Sequence, residues 1–203
     1  PTGEYEGWPN HVPIPAVGVT GPNDVDLTVE PHHDGSLITV VTSSRVGVMA
    51  DLAGGLALSG IGIRSARTVT LGDAAVSLFE VRRPDVDPAS LRDRLRAAMA
   101  GDLDLAGRLT VTQREGDVDA RVLLVERDSA TVTVLEVRAQ DRRGLLWTVC
   151  HTIASAGFSM RSAHLSTYGN EARQVLYVLD AAGHPLDDET ATRLRDDVAA
   201  ALA

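Results

Sequence analysis

Cysteine is almost absent from this chain of 203 residues, since Cys150 is its single example. No disulfide can therefore form within the chain, and the sequence is typical of a reducing compartment. Aromatic residues make up only 3% of the sequence, so the hydrophobic cores must be built from Val, Leu, Ile and Ala. No segment reaches the roughly 18 consecutive apolar residues that a membrane-spanning helix needs, and no secretory signal is visible. We therefore expect a cytoplasmic protein that has no membrane partner.

Basic stretches and catalytic motifs are also missing. The formal net charge is −9 and no segment is rich in Lys or Arg, which argues against a nucleic-acid partner. The chain has no Gly-x-Ser-x-Gly elbow, no Walker loop and no HExxH or CxxC metal spacing. His32, His33 and Asp34 invite a metal interpretation, but adjacent histidines before Asp-Gly are more typical of a solvated turn, and no fourth ligand lies nearby. We therefore expect no catalytic site, metal site or cofactor within these residues.

Proline is concentrated at the start of the chain, where six of the nine prolines precede residue 32. Because proline denies the backbone donors that helices and sheets need, residues 1–24 are predicted to be a linker or lead-in. The chain begins with Pro1 rather than Met, and we expect it to be a piece of a longer protein.

The chain carries an internal repeat. When the sequence is shifted by 97 positions, Gly47–Val81 aligns with Gly144–Val178 without a gap, and ten of the 35 positions are identical. A duplication of this kind predicts two copies of one small α/β unit, related by a pseudo-twofold axis. A cleft between two such copies is a common site for a small ligand.

Within each copy the hydrophobic pattern changes from strand to helix and back to strand. Apolar residues at helical spacing follow Gly47 and Gly144, and Gly60 and Gly157 come where a left-handed C-terminal cap is expected. Two strands joined by a tight turn, and then a second helix, complete each copy. This order predicts an α+β fold of tandem ferredoxin-like domains of βαββαβ type, with antiparallel sheets and helices on one face.

The fourth strand of each sheet has two candidate sources. One is Leu109–Thr112, after the second helix of the first copy. The other is a strand-like prelude before each copy, Leu27–Glu30 and Leu123–Glu126. We place the two domains at residues 25–114 and 120–203.

The segment Asp141-Arg142-Arg143-Gly144-Leu145-Leu146 resembles the D-R-x-G-L-L loop of the ACT domain, a small-molecule sensor of amino-acid metabolism. The first copy, Ser44-Arg45-Val46-Gly47-Val48-Met49, keeps the Arg and Gly of this loop but lacks the Asp. Together with Arg121–Glu126 and Ser166–Gly169, the chain is similar to the tandem ACT region at the C-terminus of bifunctional PII uridylyltransferases.

This resemblance implies a function. In that family the ACT pair senses glutamine and sets the balance between a nucleotidyltransferase domain and a metal-dependent HD hydrolase domain, both of which act on the PII signal protein. The catalytic residues, Mg²⁺ and UTP or ATP would then belong to the rest of the parent enzyme. The alternative is a free-standing two-ACT regulatory protein that acts through protein partners and binds another amino acid.

The loop chemistry is independent of the resemblance. A glycine-containing loop that opens a helix presents free N–H groups and the positive end of the helix dipole to a carboxylate. Asp141 would accept the ammonium group of an amino acid, although it is also a candidate helix cap. Arg64 and Arg161 are open to three roles, namely solvated side chains, interdomain ion pairs or ligand contacts.

The resemblance further implies that each loop faces the second strand of the neighbouring copy, within one chain or across a homodimer formed through the sheets. The first predicted site, expected to be the stronger, consists of Asp141, Arg142, Arg143, Gly144, Leu145 and Leu146 with Gly62 and Ile63. The second consists of Ser44, Arg45, Val46, Gly47, Val48 and Met49 with Ser159 and Met160.

Overall fold

The computed structural model describes residues 21–109, 119–125 and 131–203. The first copy contains β1 (Val25–His32), β2 (Gly35–Ser43), α1 (Val48–Leu58), β3 (Ile63–Leu71), β4 (Ala74–Val81), α2 (Pro88–Ala100) and α3 (Leu105–Leu109). The second contains β5 (Arg121–Leu124), β6 (Thr133–Gln140), α4 (Leu145–Ser155), β7 (Ser159–Tyr168), β8 (Glu171–Leu179) and α5 (Asp188–Leu202). Most of the expected lead-in lies outside the described residues.

The strands form one antiparallel sheet in the order β1-β2-β4-β3-β7-β8-β6-β5. The α+β, tandem ferredoxin-like fold is thus confirmed. In both copies the outer strand is the prelude, so the order within each copy is ββαββα. Leu109 ends helix α3, while residues 110–112 of the predicted trailing strand lie outside the described part. The turn at His33-Asp34 joins β1 directly to β2, and a short hairpin has a low entropic cost of closure.

The two copies pair with each other through β3 and β7. Arg67 lies opposite His164, and these two positions are equivalent under the 97-residue shift. The pseudo-twofold axis therefore passes between them, as the flanking pairs Ser65–Ser166 and Val69–Ser162 also indicate. Of the two arrangements that the sequence left open, pairing within one chain is the one observed.

Each copy has its own core between the sheet and its helices. Phe79 and Leu52 are fully buried in the first core, and Leu176 and Leu194 in the second. The predicted stripes on α1, α2, α4 and α5 face these cores, and Gly60 and Gly157 follow α1 and α4 with φ of 69° and 83°. Among the described residues, no helix combines the length and apolar character that crossing a bilayer requires.

Helix α1 contains an adjacent glycine pair that helical propensity alone would disfavour. A Cβ atom on Gly54 would lie 2.6 Å from Leu105 Cδ1 and 3.0 Å from Trp147 Cδ1, and one on Gly55 would lie 2.7 Å from Leu95 Cδ2. The missing side chains therefore allow α1 to pack closely against α2, α3 and α4. This packing positions the start of α4, where the first predicted site lies.

Candidate functional site: two cavities between the copies

Two cavities lie at equivalent places on either side of the pseudo-twofold axis. Cavity one has a volume of about 330 Å³, and cavity two about 200 Å³. All residues of the first predicted site line cavity one: Asp141, Arg142, Arg143, Gly144, Leu145, Leu146, Gly62 and Ile63. All residues of the second line cavity two: Ser44, Arg45, Val46, Gly47, Val48, Met49, Ser159 and Met160. The predicted packing of each loop against the opposite copy is confirmed, while ligand binding by these residues stays a prediction.

Gly144 shapes the loop at cavity one. It is the N-cap of α4, with φ of 88° and no side-chain hydrogen bond at the cap. A Cβ atom at this position would lie 2.6 Å from the carbonyl oxygen of Leu109, so both the left-handed backbone and the close approach of α3 require glycine. The alternative that Asp141 caps this helix is therefore wrong. The Asp141 carboxylate remains available for another role. The N–H of Leu145 donates to the carbonyl oxygen of Arg142 at 3.2 Å, whereas the N–H groups of Leu146 and Trp147 precede the first intrahelical bond, from the N–H of Thr148 to the carbonyl oxygen of Gly144.

Asp141 is a half-buried carboxylate at the mouth of the loop. Its backbone N–H donates to the carbonyl oxygen of Asn170 at 2.7 Å, which fixes the residue at the end of β6. Burial raises the pKa of the Asp141 carboxyl above its ordinary value, and the Arg82 guanidinium opposes this shift only in part. A carboxylate in this position gains stability when a further cation, such as an ammonium group, comes into contact with it.

Arg82 is a cavity-one residue that the sequence analysis missed. It follows β4, lines the cavity, and donates its backbone N–H to the carbonyl oxygen of Gly62 at 3.2 Å. Under the 97-residue shift, Arg82 corresponds to Leu179 and Asp141 to Ser44, and both of these line cavity two. The opposite charges at Asp141 and Arg82 thus have no equivalent in cavity two. The sequence does contain a signal for Arg82, since a charged residue in one copy of the repeat stands opposite an apolar residue, Leu179, in the other.

The two loop arginines contact their own copies. Arg142 Nη2 donates to the carbonyl oxygen of Leu202 at 3.4 Å, and Arg45 Nη2 to that of Met99 at 3.1 Å. Both contacts join a loop to the C-terminal end of a helix. Arg45 also forms an ion pair with Asp51. Burial nevertheless raises the pKa of the Asp51 carboxyl, which means that its loss of hydration outweighs the stabilisation by Arg45.

The strand arginines take different positions. Arg64 lines cavity one but also forms an ion pair with Asp34, with a nitrogen–oxygen distance of 2.8 Å. Arg161 lines cavity two and is exposed. The interaction of Arg64 is therefore within the first copy rather than between the copies.

Gln174 is a second residue of cavity one that the sequence analysis missed. Its side chain is 2% exposed and lines the cavity, and its Oε1 has no hydrogen-bond partner among the described residues. The equivalent position in the first copy is Ser77, whose hydroxyl lies 3.0 Å from the Thr68 hydroxyl. No sequence pattern marked Gln174, because its position on β8 resembles that of any core-facing strand residue.

Cys150 lies in the wall of cavity two. It is 2% exposed and burial strongly raises the pKa of its thiol, so the side chain packs in the core and a reactive thiolate is disfavoured. Within the described ranges, no group of three His, Cys, Asp or Glu side chains is arranged to hold a metal ion.

Comparison with known proteins relates the chain by sequence to enzymes of one name. The chain is 33% identical over 201 residues to the bifunctional uridylyltransferase/uridylyl-removing enzyme of Gluconobacter oxydans (strain 621H), which covers 87% of this chain and 21% of that enzyme. It is 34% identical over 183 residues to the enzyme of the same name from Streptomyces coelicolor (strain ATCC BAA-471 / A3(2) / M145), covering 81% of this chain and 22% of the enzyme. By sequence, the chain is related to one segment of the bifunctional uridylyltransferases.

The chain spans about a fifth of the length of these uridylyltransferase relatives. The resemblance inferred from the loop and its flanking strands is thereby confirmed at the level of the enzyme family. No protein-family model matches the chain. Among solved structures, aspartate kinase from Synechocystis is similar with a TM-score of 0.43 and 18% identity, covering 78% of this chain and 26% of the kinase. This structural likeness is too remote to add to the relationship.

Proposed function

We propose that this chain is the amino-acid-sensing region of a uridylyltransferase-related protein and that cavity one holds the amino acid. The observation that carries the proposal is the pair of opposite charges, Asp141 from the second copy and Arg82 from the first. An amino acid is a zwitterion at neutral pH. Cavity one offers the Asp141 carboxylate to its ammonium group and Arg82, one of several arginines in the wall, to its carboxylate. Because the two groups come from different copies, a ligand held by both would join the copies across their interface.

The geometry supports a specific orientation of the ligand. Its ammonium group would contact the Asp141 carboxylate, whose partial burial strengthens the interaction with a cation. Its carboxylate would face the first N–H groups of α4, where the helix dipole is positive, and the Arg82 guanidinium. Cavity two has Ser44 and Leu179 in the equivalent places, so we expect it to bind the same ligand much more weakly.

Glutamine is the ligand that we propose for cavity one. The support is the resemblance to the tandem ACT regions and the relationship to enzymes named uridylyltransferase/uridylyl-removing enzyme. We further propose that the whole protein modifies and demodifies the PII signal protein, with a nucleotidyltransferase and an HD hydrolase domain that use Mg²⁺ and UTP or ATP. A full-length protein whose two activities do not respond to glutamine would contradict this assignment.

Isothermal titration of the 203-residue chain with glutamine tests the proposal, with glutamate, glycine and serine as comparison ligands. We expect selective glutamine binding at one dominant site per chain. Selective binding of another amino acid would keep cavity one as a sensor and replace glutamine as its ligand. If none of the four amino acids binds, the sensor proposal fails.

A further inference from the structure

Gln174 carries an unsatisfied acceptor into cavity one. Only 2% of the surface of Gln174 is exposed, and its Oε1 has no hydrogen-bond partner in the described part of the chain. Removing an amide oxygen from water without giving it a donor costs free energy. Buried polar groups in native proteins are nearly always paired, so an orphaned one that lines a cavity indicates a donor brought by the contents of that cavity.

The first copy shows that this orphan is not required by the fold. Ser77 occupies the equivalent position on β4 and is 1% exposed. Its hydroxyl lies 3.0 Å from that of Thr68, which in turn donates to the carbonyl oxygen of Val76 at 3.3 Å. In the first copy the Ser77 hydroxyl is therefore paired within the protein. In the second copy the larger Gln174 side chain at the same position has an unpaired acceptor.

The position of Gln174 indicates which part of a ligand it would meet. Asp141 is joined through its N–H to the carbonyl of Asn170, and Gln174 lies four residues further along the chain on β8. At about 3.3 Å per strand residue, the two ends of this stretch are roughly 13 Å apart along the backbone. Because both side chains line cavity one, a ligand that reaches both needs polar groups at its two ends.

The surroundings of Gln174 favour an uncharged group at that end. Its strand neighbours in register are Val137 on β6 and Leu165 on β7, and Leu165 also lines the cavity. The cavity wall also contains arginines, among them Arg64, Arg142 and Arg173, but a carboxylate has no N–H and would leave Oε1 without a donor. A carboxamide keeps no net charge and supplies the N–H donor that Oε1 lacks.

We propose that Gln174 Oε1 accepts a hydrogen bond from the side-chain carboxamide N–H of the amino acid held at Asp141, and that this bond makes cavity one prefer a carboxamide side chain. This inference rests on the proposed function of cavity one. It assigns specificity to a strand residue outside the loop, and it separates ligand selection at Gln174 from zwitterion binding at Asp141 and Arg82.

The test compares glutamine with the γ-methyl ester of glutamate, which keeps the side-chain carbonyl but has neither an N–H donor nor a side-chain charge. By titration calorimetry, the wild-type chain should bind the ester about three- to tenfold more weakly than glutamine, as expected for one neutral hydrogen bond. The Gln174→Met variant should bind glutamine about three- to tenfold more weakly than the wild type and should no longer distinguish it from the ester. The matched control, Ser77→Ala, should keep the wild-type preference.

The outcomes separate this inference from the proposal on which it rests. If the wild-type chain binds neither glutamine nor the ester, glutamine is not the ligand and this inference is overturned, while the sensor proposal itself fails only if glutamate, glycine and serine do not bind either. If the wild-type chain binds glutamine and the ester equally, the role of Gln174 is overturned while amino-acid binding stands. Unchanged preference in a folded Gln174→Met variant overturns it in the same way. Because the substitution removes an orphaned buried acceptor, we expect no loss of thermal stability.

Discussion

Cavity one and cavity two have walls from equivalent positions of the two copies, yet they differ in size and chemistry. Cavity one is larger and contains the charged pair Asp141 and Arg82, whereas cavity two has Ser44 and Leu179 at these places. Gly62 in the wall of cavity one corresponds to Ser159 in the wall of cavity two, whose hydroxyl donates to the carbonyl oxygen of Leu179 at 3.4 Å. The cavity with the greater volume is therefore also the one that can neutralise a zwitterion.

This difference separates the features of the scaffold, which the two copies share, from the charges of the cavities, which they do not share. Both loops keep a left-handed glycine, with φ of 86° at Gly47 and 88° at Gly144, and both keep an arginine that contacts the end of a helix. These features serve the backbone and are common to the copies. The charges that would contact a ligand are not shared, because Asp141 corresponds to Ser44 in the first copy and Arg82 corresponds to Leu179 in the second.

The largest change in the free energy of unfolding is expected for alanine substitutions at the two loop glycines, Gly47 and Gly144. Both have a left-handed backbone, but only Gly144 has a close neighbouring atom. A Cβ on Gly144 would lie 2.6 Å from the Leu109 carbonyl oxygen, whereas one on Gly47 would meet nothing closer than 3.7 Å. Gly47→Ala should lower the free energy of unfolding by about 1–2 kcal/mol through left-handed strain alone. Gly144→Ala should lower it by about 2–5 kcal/mol, since overpacking is added. Urea unfolding of both variants measures this, and equal losses would contradict the role of the Leu109 contact.

The next effect concerns binding. Asp141→Asn should weaken glutamine binding about tenfold to a hundredfold, because it removes a charge-assisted hydrogen bond. Ser44→Ala, at the equivalent place in cavity two, should leave the affinity unchanged. Titration calorimetry of the two variants checks this comparison. Because burial raises the pKa of the Asp141 carboxyl, its charge does not stabilise the fold, and Asp141→Asn should melt at or above the wild-type temperature at neutral pH. Equal loss of affinity in both variants would show that the cavities are not functionally distinct.

The pH dependence of binding provides a third comparison. An ammonium group binds the ionised form of Asp141, whose pKa in the folded chain lies above the ordinary value. Glutamine affinity should therefore be constant well above this raised pKa and decrease as the pH falls through it. The Asp141→Asn variant should show a nearly flat profile over the same range. A wild-type profile as flat as that of the variant would remove Asp141 from the binding site.

The smallest effect concerns two ion-paired carboxylates, one in each copy. Glu136 in the second copy is nearly buried between Arg138 and Arg173, at 2.6 and 2.9 Å, and Arg173 in particular holds the pKa of its carboxyl below the ordinary value. The stability that it contributes is present above the unfolded-state pKa and is lost as the pH falls through the folded-state pKa. Glu136→Gln should lower Tm by about 2–4 °C at neutral pH, and the difference should vanish in acid.

The control for this prediction is the exposed pair of Asp34 and Arg64 in the first copy. Asp34→Asn should change Tm less than Glu136→Gln, since solvent screens an exposed pair more strongly. A calorimetric melting series from neutral to acid pH measures both variants. A larger effect of Asp34→Asn would reverse the expected order of the two copies.

Much of the fold could be predicted because its signals are local. The helical stripes beginning near Met49 and Leu146 and the glycines after α1 and α4 each depend on residues a few positions apart. The loop residues of both sites could be predicted for the same reason, since each loop is one continuous segment. The source of the outer strand of each sheet was left open, because two segments had the same strand character.

The sequence by itself determined the duplication, the elements of each copy and the two glycine loops that open α1 and α4. Only the tertiary structure decided that the copies pair through β3 and β7 within one chain, and that Arg82 and Gln174 join Asp141 around cavity one. Arg82 and Asp141 are 59 positions apart in the sequence. No local pattern links two such residues, because their proximity results from strand pairing across the pseudo-twofold axis and from burial that only the assembled sheet and helices create.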